Sequence, residues 1–451
     1  MNDIDVLIVG GGISGLSVAW WLAQADISVE VWEQDTRLGG KIQSVRADGY
    51  LTEQAASMVL NFLPTVSQFM RESGFEAHKT LRADIANRYL VHEGRLLSLP
   101  MKLVPMIMSP LWSRRGKLRF LIEPFIPRRR DAQETVSEFI TRRLGTEVLE
   151  KALGPFVTGT LASDPDKANA YSVLPRLTAL ERRYGSLTLG VFIHKVLRRR
   201  TAAITEAFSF QGGMSTLVEL LAKTPGVHFR PGYTVIGLEK EKQGWRVTGK
   251  TPQGEQTIFA RQVVLSTPAN VAASLLEPLD SQLTKYLRGI ETAPLSVVHL
   301  GISRSAIRHS LDGTGFLTPR KEGLPVTGCL WMSSLFPDRA PQGKVLLSAY
   351  LGGALQPAAV DWDDDRSVTA VMATLQRLLG IKGDPENVRI DRHFQGLPLY
   401  YGNYTGRLAE IDRHLKQLPG LHLDANYRGG VSVRDRIASA CTTAERILSR
   451  A

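Results

Sequence analysis

The feature that most constrains this chain is a glycine-rich turn between an apolar stretch and a helix-like stretch near its start. Residues 4–15 read IDVLIVGGGISG, in which the apolar run is typical of a buried parallel strand. Residues 13–24, ISGLSVAWWLAQ, predict the helix that follows, and residues 27–33, ISVEVWE, predict the next strand. A strand, a glycine turn, a helix and a second strand are the opening unit of a Rossmann-type nucleotide-binding fold.

Three glycines and one acid in this unit occupy the positions that a bound dinucleotide requires. Gly10 permits the tight turn, Gly12 lets a pyrophosphate approach the backbone, and Gly15 lets the helix pack closely on the strand. The helix N-terminus offers free N–H groups and a partial positive charge to the phosphates. Glu33 follows the glycines by roughly 20 residues, the spacing at which an acid binds a ribose hydroxyl. The predicted contacts here are Gly10, Gly12, Ile13, Ser14, Gly15, Glu33 and Gln34.

A second glycine pair after this acid distinguishes one cofactor from another. Residues 33–41 read EQDTRLGGK, so Arg37, Gly39, Gly40 and Lys41 come directly after the ribose acid. A nicotinamide enzyme has no use for them, whereas FAD is longer and leads its flavin away from the first loop. Glycines let the backbone approach that path, and the two cations can counter the diphosphate charge. The pattern favours FAD over NAD, and it resembles the extended fingerprint of the amine-oxidase-like FAD superfamily.

Two later segments are typical of the same cofactor domain. Residues 231–249 and 255–269 predict a hairpin followed by a strand. Residues 421–448 predict a strand, a glycine turn and a helix whose N-terminal dipole would stabilise an anionic reduced flavin. The superfamily resemblance implies that the backbone at Val235 meets the adenine. The predicted cofactor contacts in these segments are Val235, Thr267, Asn426, Val431, Ser432 and Val433.

The cofactor motifs lie at three separate places, so the FAD-binding domain is predicted to be discontinuous. It is assigned to residues 1–79, 205–290 and 391–451. Residues 80–204 are predicted to be a mainly helical insertion, and residues 291–390, with alternating strand-like runs and one helix, a substrate-binding domain. The predicted fold class is α/β, with a Rossmann-type FAD domain, a mixed-sheet substrate domain and a helical, membrane-facing insertion that forms part of the substrate pocket.

Composition and charge argue against several classes of protein. The 451 residues carry 55 Lys and Arg against 44 Asp and Glu, a net charge of +11, but no nucleic-acid-binding motif accompanies this excess, so we predict no nucleic-acid partner. Cys329 and Cys441 lack metal or redox spacing and are expected to be plain buried thiols in a reducing compartment. No metal site, catalytic triad or protein general base is predicted. The first strand begins too close to Met1 for a signal peptide, and a cytoplasmic location is expected.

Four blocks, three in the predicted insertions and one where the chain returns to the FAD domain, make the resemblance more specific. ANRYLVHEGRLLSLP begins at residue 86, and VSEFITRRLG followed by GPFVTGTLASDPDKANAYSVLPRLTALERRYGSL lies in residues 136–187. FSFQGGMSTLVELLA begins at residue 208, and LDGTGFLTPR, SSLFPDRAP and LLSAYLGG lie in residues 311–353. Nearly end to end, the chain resembles the oxygen-dependent protoporphyrinogen oxidase family, the flavoenzymes that turn a porphyrinogen into a porphyrin.

The resemblance implies a substrate site and a reaction. Arg88 stands where the family's arginine pairs with a propionate, a task that suits the planar fork of a guanidinium. Gly159 matches a glycine whose backbone approaches the macrocycle, Leu311 matches an apolar residue on a pyrrole face, and Tyr350 falls where the family often has phenylalanine. The flavin is the reactive group and would take six electrons in three two-electron cycles, with molecular oxygen as acceptor and hydrogen peroxide as product.

The chain also departs from the family pattern, and this leaves alternatives open. Gln54 and Ala56 stand where glycine and then asparagine or proline are usual, and Ala425 replaces a glycine before Asn426. Protoporphyrinogen IX, a haem precursor, is the predicted substrate. Coproporphyrinogen III is the alternative, and its four carboxylates instead of two call for a second basic anchor. A more distant amine oxidase or desaturase, and a non-catalytic flavin protein that stabilises a partner, are further alternatives.

An apolar run followed by cations predicts contact with an anionic membrane surface. Residues 101–112, MKLVPMIMSPLW, are too short to span a bilayer, but apolar side chains and cations together suit a peripheral attachment. The family resemblance also implies a peripheral position, here on the cytoplasmic face of the membrane. A homodimer, or a transient contact with the next enzyme of the haem pathway, is a further expectation. The cations are Arg114, Arg115, Lys117, Arg119, Arg128, Arg129 and Arg130.

Overall fold

The computed structural model describes most of the chain. The described residues are 3–25, 27–85, 87–99, 109, 111–129, 131–197 and 205–449. Across these ranges, no helix is both long enough and apolar enough to cross a membrane. Arg130 and most of the apolar run at 101–112 lie outside the described residues.

The strands of the described residues form four sheets. In chain order the strands are β1 (Asp3–Val9), β2 (Val29–Glu33), β3 (Ser44–Ala47), β4 (Tyr50–Glu53), β5 (Val59–Asn61), β6 (Lys79–Leu81), β7 (Asn87–His92), β8 (Arg95–Leu99), β9 (Glu206–Phe210), β10 (Val227–Pro231), β11 (Thr234–Lys240), β12 (Trp245–Thr251), β13 (Gly254–Leu265), β14 (Thr292–Ser303), β15 (Gly313–Leu317), β16 (Val326–Trp331), β17 (Lys344–Gly352), β18 (Asn387–Pro398) and β19 (Leu421–Leu423).

The helices surround these sheets. In chain order the α-helices are α1 (Ile13–Ala23), α2 (Pro64–Glu72), α3 (Arg114–Ile122), α4 (Val136–Leu144), α5 (Thr146–Val148), α6 (Gly154–Leu161), α7 (Ala170–Val173), α8 (Pro175–Tyr184), α9 (Leu187–Leu197), α10 (Ser215–Leu221), α11 (Ala269–Leu276), α12 (Ser281–Arg288), α13 (Met332–Leu335), α14 (Asp364–Leu379), α15 (Tyr404–Leu415) and α16 (Val433–Leu448). A π-helical segment, Leu149–Leu153, joins α5 to α6.

The first large sheet is the predicted nucleotide-binding sheet. Its strands run in the order β10-β2-β1-β13-β12-β11, with β19 beside β13, and β1 lies parallel to both β2 and β13. Alternate residues of β1 face opposite sides: Val6 and Ile8 pack against α1 and α16, whereas Leu7 and Val9 join the core on the other face. Burial on both faces explains the uninterrupted apolar run in the sequence. The predicted N-terminal unit, the hairpin and the C-terminal strand and helix are confirmed.

The second large sheet runs in the order β18-β14-β17-β16-β15-β7-β8. The predicted helix in this region is confirmed as α14, which buries Val371, Leu375 and Leu379 against one face of the sheet. The hairpin β7–β8 belongs to this sheet because β7 pairs with β15, although it lies in the range 80–204 that was expected to be mainly helical. The first helix among the described residues of that range is α3, which follows the hairpin.

The helices α3 to α9 are held together by apolar packing and by a buried ionic network. Arg143 is fully buried and donates to the carboxylates of Glu123, at 3.3 Å, and Glu181, at 2.8 Å. Two carboxylates around one guanidinium satisfy charges that would otherwise be costly to bury. The network supports the helices beside α6, which lies against the second sheet: a Cβ atom on Gly159 would lie 2.5 Å from Leu317 Cδ2.

Candidate cofactor and substrate site

A cavity of about 950 Å³ lies between the two large sheets. One half of it is lined by the loops that follow β1, β2 and β13, and the other half by α6 and by strands β14 to β18. In doubly wound folds, ligands bind at the carboxyl ends of the parallel strands, which is where the first half of this cavity lies. The two halves are called here the nucleotide half and the sheet half.

The first glycine loop leaves space and free backbone donors in the nucleotide half. Gly10 has φ +105°, and a Cβ atom there would lie 2.8 Å from the Ser266 carbonyl oxygen, so the turn requires glycine. Gly12 has an ordinary φ of −75°, but no atom lies within 4 Å of the position that its Cβ would take. It begins α1 without a side-chain cap, so the first N–H groups of the helix are free to meet a phosphate. Ile13 and Ser14 line the same space.

The acid at the end of β2 is held in place by this loop. Glu33 is 7% exposed, and its carboxylate accepts hydrogen bonds from the N–H groups of Gly11, at 2.6 Å, and Asp35, at 2.9 Å. Glu33 and Gln34 both line the cavity, whereas Gly15 does not, because its place is against the Gly10 carbonyl. Gly15 therefore serves helix packing, as the sequence predicts.

The second glycine pair lies directly against the first loop. Gly39 N–H donates to the Gly11 carbonyl at 2.8 Å, and a Cβ atom on Gly40 would lie 3.2 Å from Gly12 Cα. The neighbouring cations line the cavity but bind carbonyl oxygens in this structure. Arg37 donates to Gly40, at 2.6 Å, and Lys41 Nζ donates to the carbonyl of Gly396 on β18, at 2.7 Å. Lys41 thus ties the nucleotide half to the second sheet, and charge compensation by either cation stays a prediction.

The later segments reach the same cavity. Val235, Thr267, Asn426, Val431 and Val433 line it. The Thr267 hydroxyl is buried and has no hydrogen-bond partner among the described residues, as is expected of a group that awaits a ligand. Ser432 is absent from the lining. Its hydroxyl caps α16 by accepting from Asp435 N–H at 3.2 Å, so it helps to fix the end of the helix that points at the cavity.

The structure brings two of the four predicted substrate residues into the cavity. Gly159 and Tyr350 line its sheet half, next to Leu317. Arg88 is exposed and lies on β7, one strand further out than β15, which lines the cavity. Its side chain is on the same side of β7 as that of Leu90, which pairs with Leu317 on β15. Leu311 is 4% exposed and packs in the core on the α14 side of the sheet, away from the cavity.

Several lining residues were not predicted as site residues. The three positions that depart from the family pattern, Gln54, Ala56 and Ala425, all line the cavity. Cys329 is buried in its wall, and burial raises the pKa of its thiol, whereas Cys441 is only partly buried. His393 also lines the cavity, and a lone histidine in an alternating strand carries no sequence signal of its own. Within the described residues, no group of acidic, histidine or cysteine side chains could hold a metal ion.

The residues of the nucleotide half fit FAD. The open space at Gly12, the uncapped start of α1, the buried acid Glu33 and the unpartnered Thr267 hydroxyl together provide for a pyrophosphate, a ribose and further polar groups. Helix α16 begins at Val433, which lines the cavity, so the positive end of its dipole would face the flavin end of such a cofactor.

Comparison with known proteins gives the same cofactor class. The model of the family described as flavin containing amine oxidoreductase matches residues 13–448. The mitochondrial protoporphyrinogen oxidase of Nicotiana tabacum is 29% identical, with 98% of this chain and 94% of that protein covered. The coproporphyrinogen III oxidase of Bacillus subtilis is 28% identical, with 96% and 95% covered. A crystal structure from Exiguobacterium sp. 255-15, of a candidate protoporphyrinogen oxidase, has a TM-score of 0.82 at 24% identity and covers 100% of both chains.

The match of the family model and the fit of the cavity agree on one assignment. The enzyme is an FAD-dependent oxidoreductase. The chain belongs to the flavin containing amine oxidoreductase family, in the branch that includes the protoporphyrinogen and coproporphyrinogen III oxidases.

Proposed function

We propose that this enzyme oxidises protoporphyrinogen IX to protoporphyrin IX in haem biosynthesis. The proposal is carried by the similarity to porphyrinogen oxidases, which covers 96–98% of this chain and 94–95% of those proteins. The sheet half of the cavity, which is mostly apolar, agrees with it. A porphyrinogen is a large apolar macrocycle with carboxylates at its rim, and such a wall suits its faces. The division of the chain into a discontinuous FAD-binding domain, at residues 1–79, 205–290 and 391–451, and two insertions, at residues 80–204 and 291–390, is part of the same proposal.

Each group of predicted site residues then has a task. Bound FAD supplies a two-electron acceptor, and molecular oxygen is the proposed final acceptor. The glycine loops and Glu33 hold the cofactor, and Gly159 and Tyr350 hold the macrocycle beside it. Leu311 would act from behind the wall, by shaping it. Arg88 is proposed to bind a carboxylate at the rim, a place that its exposed position on β7 allows.

One observation supports coproporphyrinogen III as a second candidate. Burial and the nearby Arg82 guanidinium both lower the pKa of Arg88, so a second positive charge, just after β6, lies near the one that Arg88 carries on β7. A pair of guanidiniums offers sites for more than one carboxylate, and coproporphyrinogen III carries four. Arg82→Ala separates the two candidates, because it should impair coproporphyrinogen oxidation more than protoporphyrinogen oxidation.

The test of the function is anaerobic mixing of the FAD-loaded protein with each porphyrinogen. The absorbance of oxidised flavin should fall, and porphyrin fluorescence should rise in step. Admission of oxygen should then restore the flavin spectrum and produce hydrogen peroxide. A flavin that stays oxidised with both porphyrinogens, while a simple amine reduces it, would move the enzyme to the amine oxidases.

We further propose that the enzyme is cytoplasmic and binds the membrane surface peripherally. Helix α3 and the turn after it expose Leu121, at 72%, and Phe125, at 86%, and α9 exposes Phe192, at 63%. Arg114 and Arg115 lie on the same helix, and Arg128 and Arg129 follow it. Apolar side chains among cations suit an anionic bilayer surface. Self-association, or contact with the next enzyme of the pathway, is a separate proposal that the same exposed surface would serve.

Co-sedimentation with vesicles tests the membrane proposal. Binding should favour anionic over neutral vesicles and weaken with salt, because each cation contributes about 1 kcal/mol that salt screens. The double variant Leu121→Asp and Phe125→Asp should sediment less. Ile236→Asp is the matched control, since Ile236 is 42% exposed on β11 of the first sheet. Equal sedimentation of all three proteins would remove the proposed membrane surface.

A further inference from the structure

His393 is a cavity residue to which the proposed function gives no task. It is 8% exposed, and it is the one histidine among the described residues that line the cavity. The other titratable groups of this lining are acids, tyrosines, a cysteine and strongly basic side chains, all with ordinary pKa values further from neutrality than that of histidine, and burial raises the pKa of the cysteine, Cys329. An imidazole is therefore the group in this lining best suited to exchange a proton near neutral pH.

The position of His393 on β18 places it where the two halves of the cavity meet. Its neighbour across β14 is Leu295, which lines the sheet half, and the next position on the same face of β14 is Val297, also in the lining. On its other side, its ring contacts the main chain at Gln54, and Lys41 approaches from the second glycine loop. A substrate on the sheet wall and a cofactor on the loops would both lie near this ring.

One hydrogen bond determines which ring nitrogen is free. Nε2 of His393 lies 2.8 Å from the carbonyl oxygen of Gln54. A carbonyl oxygen can only accept, so Nε2 carries the hydrogen and donates it. In the neutral ring the lone pair is then on Nδ1, and Nδ1 has no hydrogen-bond partner within the described part of the chain. The histidine thus presents a proton acceptor that the protein leaves unused.

The surroundings keep the ring neutral yet able to hold a proton. Burial lowers the pKa of His393 and Lys41 lowers it further, while the Gln54 hydrogen bond and the Asp391 carboxylate oppose the change. Asp391 lies two residues earlier on the same face of β18 and is fixed by Arg389, at 2.6 Å and 2.9 Å. This carboxylate would stabilise an imidazolium formed beside it. The charged groups that face His393 are therefore Lys41 and Asp391.

We propose that Nδ1 of His393 accepts the proton that a pyrrole N–H of the porphyrinogen loses in each two-electron step. The inference rests on the proposed function. Each step removes two hydrogens from the macrocycle: a hydride from a bridging carbon, which bound FAD would accept with its electron pair, and a proton from nitrogen, which the imidazole takes. Because the finished porphyrin keeps two of its four N–H hydrogens, one of the three protons starts on the fourth bridging carbon and reaches a pyrrole nitrogen by tautomerisation before the imidazole takes it. The new N–H bond on Nδ1 is broken again when the imidazolium passes its proton to water, which restores the neutral ring. A positioned base of this kind typically contributes about 100-fold or more to a rate.

The test compares His393→Gln with a matched histidine variant. Glutamine can keep the hydrogen bond to the Gln54 carbonyl but cannot take a proton. His309→Gln is the control, because burial also lowers the pKa of His309, but that ring packs edge-on against Tyr89 and at a tilt against Trp331, outside the cavity. His393→Gln should slow flavin reduction by about 100-fold with KM little changed, and free imidazole should restore part of the rate. The control should react at the rate of the unaltered enzyme.

Two further readouts separate this inference from the proposed function. The rate of flavin reduction should fall in acid as His393 becomes protonated, with an apparent pKa below the ordinary histidine value, and this decline should disappear in His393→Gln. Nitrogen-15 NMR of the oxidised, FAD-bound protein should show a neutral ring with hydrogen on Nε2, assigned by its loss in the variant. Unchanged rate and pH profile in His393→Gln, or hydrogen on Nδ1 in the spectrum, would overturn the inference. Failure of the unaltered enzyme with every porphyrinogen would overturn the proposed function, and the inference with it.

Discussion

Gly12→Ala should separate the stability of this fold from its ability to bind FAD. The backbone at Gly12 has φ −75° and ψ 177°, which any residue adopts, and the new methyl group would meet no atom within 4 Å. Unfolding of the cofactor-free protein should therefore change little, or become harder by about 0.4–1 kcal/mol because alanine restricts the unfolded chain. The methyl group would instead occupy the space of the pyrophosphate. Loss of one charge-assisted hydrogen bond costs about 1.5–3 kcal/mol, so FAD should bind roughly 10- to 150-fold more weakly. Gly12→Val should abolish binding.

The assay pairs urea unfolding of the cofactor-free protein with fluorescence titration of FAD. Gly237→Ala is the matched control, since its Cβ would lie 3.7 Å from Thr248 and it lines no part of the cavity. That variant should bind FAD normally. Gly15→Ala should show the opposite pattern to Gly12→Ala, with loss of stability, because a Cβ atom there would collide with the Gly10 carbonyl. Normal FAD binding by Gly12→Ala would show that the pyrophosphate lies elsewhere.

Other outcomes follow from single contacts. Arg88→Ala should raise KM by roughly tenfold to a hundredfold, and Arg88→Lys should recover only part, in steady-state kinetics; an unchanged KM would make Arg88 an ordinary surface residue. Burial raises the pKa of Asp391, but the nearby His299 ring, at 3.4 Å, and the hydrogen bonds from Arg389 outweigh it and bring the pKa to about 2, against an ordinary value of 3.8. The ionised carboxylate therefore stabilises the fold at pH values above 3.8, and the free energy of unfolding should fall by about 2 kcal/mol as the pH falls from 3.8 toward 2. Unfolding of Asp391→Asn, measured as a function of pH, should not show this decrease. Arg143→Met should lower the free energy of unfolding by about 3–5 kcal/mol, because two buried carboxylates lose their partner, and thermal unfolding unchanged from the parent would contradict this. Acid denaturation should release free FAD, and flavin left on the precipitated chain would indicate a covalent link.

The sequence by itself determined the cofactor half of this protein. Its signals are local properties that a short stretch of sequence shows: the glycines that take positive φ angles, Gly10 and Gly39, the apolar run of β1, and Glu33 at its spacing from the glycines. The carboxyl ends of β1, β2 and β13 lie together because these strands are parallel in one sheet. Local motifs were therefore enough to predict that a residue far along the chain, such as Thr267, lines the cavity.

Only the tertiary structure decided the sheet half. Which strands pair, and which face of each strand meets the cavity, depends on register, and a register is set by packing between segments far apart in the chain. The hairpin β7–β8 shows this, because it lies in a range that the sequence predicted to be mainly helical, and its pairing with β15 is formed only in the folded chain. Leu311 and Tyr350 were both predicted to contact the substrate, yet Leu311 packs behind the wall of the cavity and Tyr350 lines it. His393 meets the Gln54 carbonyl across 339 residues of chain, and no local pattern in either segment could announce a hydrogen bond made only by folding.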